Sequence, residues 1–352
     1  MNDDNKALNG NVGGKSGGRR RKRVIVTIVT LMVMGWGIWQ FTSMASRYDG
    51  EEAVWIRIPR GASKAAVADS LKKSLGEEYG SKVAGYWSGN TEKSRGAYLV
   101  EPGEKAINIA RMIDNGRQTP VRLTFNNIRT IDQLEARLAA RMDWREGEFG
   151  KAFAEEAEAL GVTQAVLLGR MMPDTYEVYW TADPRKTIQK ILKNYDSFWN
   201  EERRAKAEKL GLTPNQVGVV ASIAEEESAK ADERGKIARL YLNRIARGMK
   251  LQADPTVKYA VGDFSIKRVG GPMLDIDSPY NTYRYAGLPP APIRVPDRRT
   301  LEAVLDAPAH DYIYMCAKPD FSGYHDFTSD YAVHRRNAAA FRAALDARGI
   351  KL

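Results

Sequence analysis

Apolar and polar positions change rhythm several times along the chain. Residues 1–18 are rich in Asn, Gly, Ser and Lys, and Arg19-Arg20-Arg21-Lys22-Arg23 follows. An uncharged run then extends from Val24 to Ala45. Period-two alternation appears at Val54-Trp55-Ile56-Arg57-Ile58, which predicts a strand. Pro59-Arg60-Gly61 breaks it, and a helix with Val67 and Leu71 on one face follows. The plan recurs with Tyr98-Leu99-Val100, the turn Pro102-Gly103 and a helix from Ile107 to Ile113 that ends near Gly116. A looser third copy begins at Val121-Arg122-Leu123-Thr124-Phe125, and Thr130-Ile131-Asp132-Gln133 opens its helix with a capping-box pattern.

Farther on, helical spacing dominates. It predicts helices over 152–160, 184–199, 214–229, 234–246 and 332–347. The stretch from Lys250 to Pro296, dense in Gly, Pro, Asp, Asn and Tyr, predicts a long functional loop region. Tyr312-Ile313-Tyr314-Met315-Cys316 predicts a buried strand. The expected fold class is α+β: a small α+β module over 52–120 and a larger, mainly helical α+β domain over 121–345.

Charge changes the picture at the front. Of the net charge of +10, the first 23 residues supply +5, from seven basic and two acidic side chains. The remaining surplus is too diffuse to indicate nucleic acid. The uncharged run of 24–45 is long enough to span a ~30 Å hydrocarbon layer, with Trp36, Trp39 and Phe41 toward its far end. The expectation is a cytoplasmic basic tail (1–23), a single-pass transmembrane helix (24–45) in the inner membrane, and the rest of the chain periplasmic. Ser43-Met44-Ala45 also has the small-x-small form of a signal-peptide cleavage site. One cysteine, Cys316, excludes an intrachain disulfide and a Cys-based zinc site. His310, His325 and His334 form no metal-ligand pattern, and no cofactor or metal is expected.

The candidate chemistry begins on the helix opened by Thr213, Pro214 and Gln216, which fit the N-cap, the first helical position and a capping box. On a wheel started at Val217, the apolar residues occupy an arc from roughly 200° through 300° to 40°. Glu227 falls at about 280°, inside that arc, whereas Glu225 and Glu226 fall outside it. A carboxyl directed into apolar surroundings has a raised pKa, which suits a general acid at neutral pH. The bland alternative is a solvated acidic helix end. The loops Leu251-Gln252-Ala253-Asp254-Pro255-Thr256 and Ser278-Pro279-Tyr280-Asn281-Thr282-Tyr283 bring the amides, hydroxyls and rings that suit a sugar ligand. Each loop could equally be turn chemistry.

In order along the chain stand Met172-Pro173-Asp174-Thr175-Tyr176-Glu177, Ala221-Ser222-Ile223-Ala224-Glu225-Glu226-Glu227-Ser228, Asn243-Arg244, Gly248-Met249, Leu251 to Val257, Ser278 to Tyr283, and Gly287-Leu288-Pro289-Pro290. This ordered set closely resembles the YceG-like endolytic murein transglycosylases, over roughly residues 50–345. The sequence departs from the family pattern at Phe125-Asn126-Asn127 (usually Pro-Glu-Gly), at Ala291 (usually Gly) and at Glu226 (commonly Lys). The resemblance implies a membrane helix, a LysM-like module over 52–120 and a catalytic domain over 121–345.

It also implies that Glu227 is the essential acid and Glu225 its paired acid. Glu225, Gln252, Asp254, Thr256, Tyr280, Asn281 and Tyr283 become the expected substrate-binding residues. The implied reaction cuts peptidoglycan glycan strands between N-acetylmuramic acid and N-acetylglucosamine, closing a 1,6-anhydro ring and terminating strand elongation. Cell-wall synthesis enzymes are the implied protein partners. A muramidase-type hydrolase using Glu225 or Asp254 as a second carboxylate, and a non-catalytic wall-binding anchor, are the alternatives.

Overall fold

The computed structural model describes residues 16–266 and 268–349, with the side chains of 16–23 and 39–45 left out. It is an α+β chain that divides after Thr119 into two compact units.

The first unit contains helix α1 (Ser16–Ala45), strand β1 (Val54–Ile58), helices α2 (Lys64–Leu75), α3 (Glu77–Tyr86) and α4 (Thr91–Ser94), strand β2 (Gly96–Val100) and helix α5 (Ala106–Asp114). β1 and β2 pair antiparallel, with Val54 opposite Val100 and Ile58 opposite Gly96. Ile56 and Ile58 pack with Val67, Leu71, Val83, Tyr98, Ile109 and Ile113 in one fully buried cluster. The alternation in β1 and the one-sided apolar face of α2 meet in that core. Ser63 caps α2 by accepting a hydrogen bond from Ala66 N–H at 3.1 Å.

The transmembrane expectation is corrected. The run does form a helix, as part of α1. Among the described residues no helix is long and apolar enough to cross a membrane. The finding overturns the single-pass helix of 24–45, and membrane insertion and the inner-membrane, periplasmic location fall with it. The expectations for residues 1–15, for the basic side chains Arg19 to Arg23, and for the rings of Trp39 and Phe41 lie outside the described residues.

The second unit is mainly helical. It runs through β3 (Val121–Thr124), α6 (Ile131–Ala139), α7 (Glu148–Ala159), α8 (Gln164–Gly169), β4 (Thr175–Val178), α9 (Pro184–Phe198), α10 (Glu201–Lys209), α11 (Pro214–Glu227), α12 (Arg234–Ala246), α13 (Asp254–Val261), α14 (Arg298–Leu305), β5 (Tyr314–Ala317), β6 (His325–Thr328) and α15 (Tyr331–Ala347). β3 pairs antiparallel with β4, and β5 with β6. The third strand read from the sequence therefore belongs to this unit. Its partner β4 overlaps the end of the Met172 to Glu177 motif.

α11 is the axis of the core. Val217 to Ala224 are all buried, which an isolated amphipathic stripe would not require. The capping box forms as its residues predict: Thr213 N–H donates to Gln216 Oε1 at 2.8 Å, and Gln216 N–H to Thr213 Oγ1 at 3.3 Å. The Lys250–Pro296 stretch is less loop-like than its composition suggests, because Asp254-Pro255 opens α13 with proline in the first turn. β5 starts two residues later than expected and is half-buried, since part of it lines a cavity.

Candidate active site

The site is built where α11 ends. An irregular segment, residues 291–297, runs against that helix. Ala291, Ile293 and Val295 are buried, and Ile293 N–H donates to Ser222 Oγ at 3.0 Å. Pro292 sits so close to α8 that a Cβ on Gly169 would meet its Cγ at 2.5 Å, which explains why glycine stands there. From this segment Arg294 reaches Glu225 and Glu226.

These adjacent acids meet three different fates. Glu225 pairs with Arg294 Nη2 at 3.0 Å and accepts the Asp297 N–H at 3.0 Å. Glu226 accepts hydrogen bonds from Arg129 Nε and Nη2 at 3.0 Å each, and also pairs with Arg294 Nη1 at 3.0 Å. Among the described residues Glu227 has no such cation. Its Oε1 accepts a hydrogen bond from the Tyr241 hydroxyl at 2.6 Å. Loss of hydration pushes its carboxyl up to about 7, aided by the charges of Asp254 and Glu226. The Tyr241 hydrogen bond and Lys258 oppose the rise. Burial also drives the Tyr241 phenol well above its ordinary value, so it remains a donor.

Glu227 opens onto a cavity of about 320 Å³, whose walls include Tyr241, Arg244, Gln252, Asp254, Tyr283, Tyr314 and His334. The Tyr283 hydroxyl donates to Asp254 Oδ1 at 2.5 Å. Burial first, then Asp254, raises the phenol of Tyr283. Gln252 lies on the rim with a left-handed backbone, φ 52°, unusual for a residue with a Cβ. Its N–H donates to Thr282 O at 3.1 Å, which ties the two loops together.

The expected binding residues separate accordingly. Gln252, Asp254 and Tyr283 line the cavity with Glu227, but Glu225 does not, because Arg294 and the start of α14 engage it. Asn281 is fully buried and bridges Leu274 O and Ile276 O at 2.8 and 2.9 Å. Thr256 is also fully buried and bonds Ala253 O and Thr282 Oγ1. These two side chains shape the loops and leave no group for a sugar. Tyr280 packs on Tyr259, ring centroids 4.7 Å apart, outside the cavity lining.

Tyr241, Arg244, Tyr314 and His334 complete the walls, and no carboxyl-based reading singled them out. A signal existed for the first two: Tyr241 and Arg244 are three residues apart on α12, hence on one helical face. Arg244 donates through Nε to Ile313 O at 2.9 Å and through Nη1 to Leu251 O, joining β5's approach to the Gln252 loop. Among the described residues no group of three or more His, Cys, Asp or Glu is placed to hold a metal ion.

The sequence matches the YceG-like family over residues 56–340. It is 28% identical over 293 residues to an endolytic murein transglycosylase of Bacillus subtilis (strain 168), covering 77% of this chain and 80% of that protein. It is 25% identical over 329 residues to an endolytic murein transglycosylase of Streptococcus pneumoniae serotype 2, covering 83% of this chain and 59% of that protein. The crystal structure of a yceG-like protein from Listeria monocytogenes aligns with a TM-score of 0.55 at 25% identity, covering 82% of this chain and 99% of that one. The chain belongs to the YceG-like family and is homologous to the endolytic murein transglycosylases.

Proposed function

We propose that this chain is a lytic transglycosylase that cuts peptidoglycan glycan between N-acetylmuramic acid and N-acetylglucosamine, leaves a 1,6-anhydro end and so terminates strand elongation. We assign residues 52–120 to a LysM-like module and 121–345 to the catalytic domain. The observation that carries the reading is a single carboxyl, Glu227, desolvated at the wall of a polar cavity and held near pKa 7.

One acid suffices for the reaction. Protonated Glu227 gives its proton to the bridging oxygen as the glycosidic bond breaks toward an oxocarbenium-like state. The carboxylate then takes the proton of the muramic acid's own 6-hydroxyl, whose oxygen bonds to C1. That oxygen is already tethered, so it reacts at high effective molarity and no water is needed. Tyr241 holds Oε1, which leaves Oε2 to face the glycosidic oxygen. Gln252 and the Tyr283–Asp254 pair offer the amide, hydroxyl and carboxylate that can hold sugar hydroxyls.

A second reading, hydrolysis by two carboxylates, draws support from Asp254 in the same cavity; the sequestered Glu225 supports no such role. Mass spectrometry of products from uncrosslinked glycan separates the two. Anhydro ends are expected, and reducing ends would replace the transglycosylase reading with the hydrolase. Glu227→Gln is expected to lower kcat by about 10³-fold with the fold retained. Wild-type turnover in that variant would remove Glu227 from its role.

A further inference from the structure

The cavity is lined by two acids, Glu227 and Asp254, and by two nitrogen-bearing side chains, Arg244 and His334. Burial, then Arg244, lowers the His334 imidazole from its ordinary value. Arg244 is buried, and its guanidinium bonds only backbone carbonyls, with no carboxylate partner among the described residues. His334 stacks on Tyr314, ring centroids 5.0 Å apart. Its Nδ1 is buried without a hydrogen-bond partner among the described residues.

His334 also lines a second cavity, of about 610 Å³, that runs along α15. Arg335, Arg336 and Arg342 line that groove with Tyr331, and no acidic side chain does. All three arginines are exposed, and none forms an ion pair among the described residues. Three unpaired guanidiniums on one helix repel one another, and the arrangement suits an anion from outside.

In peptide-bearing glycan the sugar backbone cannot be that anion, because the lactyl carboxyl of each muramic acid is tied up in the amide to its peptide. The charged part of the polymer is the peptide arm on the muramic acid's lactyl group, which bears free carboxylates. We propose that the groove of Arg335, Arg336 and Arg342 binds the carboxylates of this peptide arm, so that the enzyme selects glycan that still carries its peptides. His334 lines both the groove and the Glu227 cavity, and Arg244 lines the cavity beside it; nitrogen groups there suit the amide oxygen of the lactyl link. The inference rests on the reading of the Glu227 cavity as a muramyl site. It goes beyond that reading by naming what determines substrate choice.

The test uses the full chain carrying Glu227→Gln, so that ligand is bound and not turned over. Glycan fragments of one length, with peptide arms or with each lactyl carboxyl capped as a methylamide, are titrated by calorimetry. The peptide-bearing fragment is expected to bind about tenfold tighter or better, with an advantage that shrinks as salt rises. Arg335→Gln, Arg336→Gln and Arg342→Gln together should erase the advantage and leave the affinity for capped glycan within about twofold. These positions are exposed, so the melting temperature should not move. Equal affinity for the two fragments, or an advantage that survives the triple substitution, would overturn the proposal. So would a groove that binds inorganic pyrophosphate through these arginines yet ignores peptide arms, which would mark it as a site for a diphosphate-linked strand end. The product-end assay is independent: reducing ends from the wild-type chain would refute the transglycosylase reaction while the peptide-dependent affinity stood.

Discussion

The two sides of the last turn of α11 carry the same chemical group in opposite states. On one side Glu225 and Glu226 are locked to Arg294 and Arg129 by five contacts of 3.0 Å or less. On the other, Glu227 meets a phenol at 2.6 Å and the charge of Asp254. The arginines neutralise two carboxylates, and the tyrosine only orients the third. A run of three acids therefore separates into a structural clamp and a desolvated carboxyl, the one proposed to react, according to what faces each residue, although their local sequence is nearly the same. The clamp also fixes the helix end that carries Glu227, because Arg294 tethers the segment that lies along α11 and Glu225 accepts from the residue capping α14.

The loss of turnover in Glu227→Gln is the largest effect expected from this division. The next largest belongs to the other side. Arg294→Met should leave Glu225, with only 6% of its side chain exposed, as a buried charge short of its partner. Such a loss costs about 3–5 kcal/mol, and urea denaturation of the full chain should show it. The pH dependence of turnover should keep its midpoint, since Arg294 does not touch Glu227. A shift of that midpoint in Arg294→Met would show that the two sides are not separable.

What the sequence revealed of this arrangement was local. The wheel for α11 could be drawn because Thr213, Pro214 and Gln216 define its start and the apolar arc defines its inner face, all within 15 residues. That was enough to single out Glu227. The partners were not readable, because Arg129 lies 97 residues and Arg294 68 residues from Glu226, and only tertiary packing joins them. Thr256 and Asn281 show the opposite error. Their residue types suit a sugar, but buried backbone carbonyls need donors too, and composition cannot distinguish the two demands. β4 was invisible as a strand because four residues, Thr175 to Val178, carry too little alternation to register.

Stability offers a third way to sharpen the contrast. Glu227 has a folded pKa raised from 4.5 to about 7, so the native state holds a proton that the unfolded chain releases. Its neutral form therefore supports the fold fully below about pH 4.5. That support is lost as pH rises toward 7, by about 3 kcal/mol at most, and then stays flat. Glutamine cannot ionise. Melting curves should show Glu227→Gln close to wild type at pH 5 and more stable than wild type at pH 8. A difference independent of pH would mean that Glu227 titrates alike folded and unfolded.

The finest test concerns the two neighbours that pull Glu227 in opposite directions. Tyr241 lowers its pKa through a hydrogen bond to the ionised form, and Asp254 raises it through like charge. Because the acid must be protonated to act, kcat/KM should fall as pH rises through about 7 in the wild-type enzyme. Tyr241→Phe leaves the ring but removes the donor, so that fall should move to higher pH. Asp254→Asn removes the charge and should move it lower. Each substitution also alters the cavity wall and will change the height of the profile, so the informative quantity is the direction in which the midpoint moves. Opposite movements would tie the profile to the carboxyl between them. A common direction would mean that some other group governs the pH dependence, and the contrast between a clamped side and a reactive side would lose its chemical meaning.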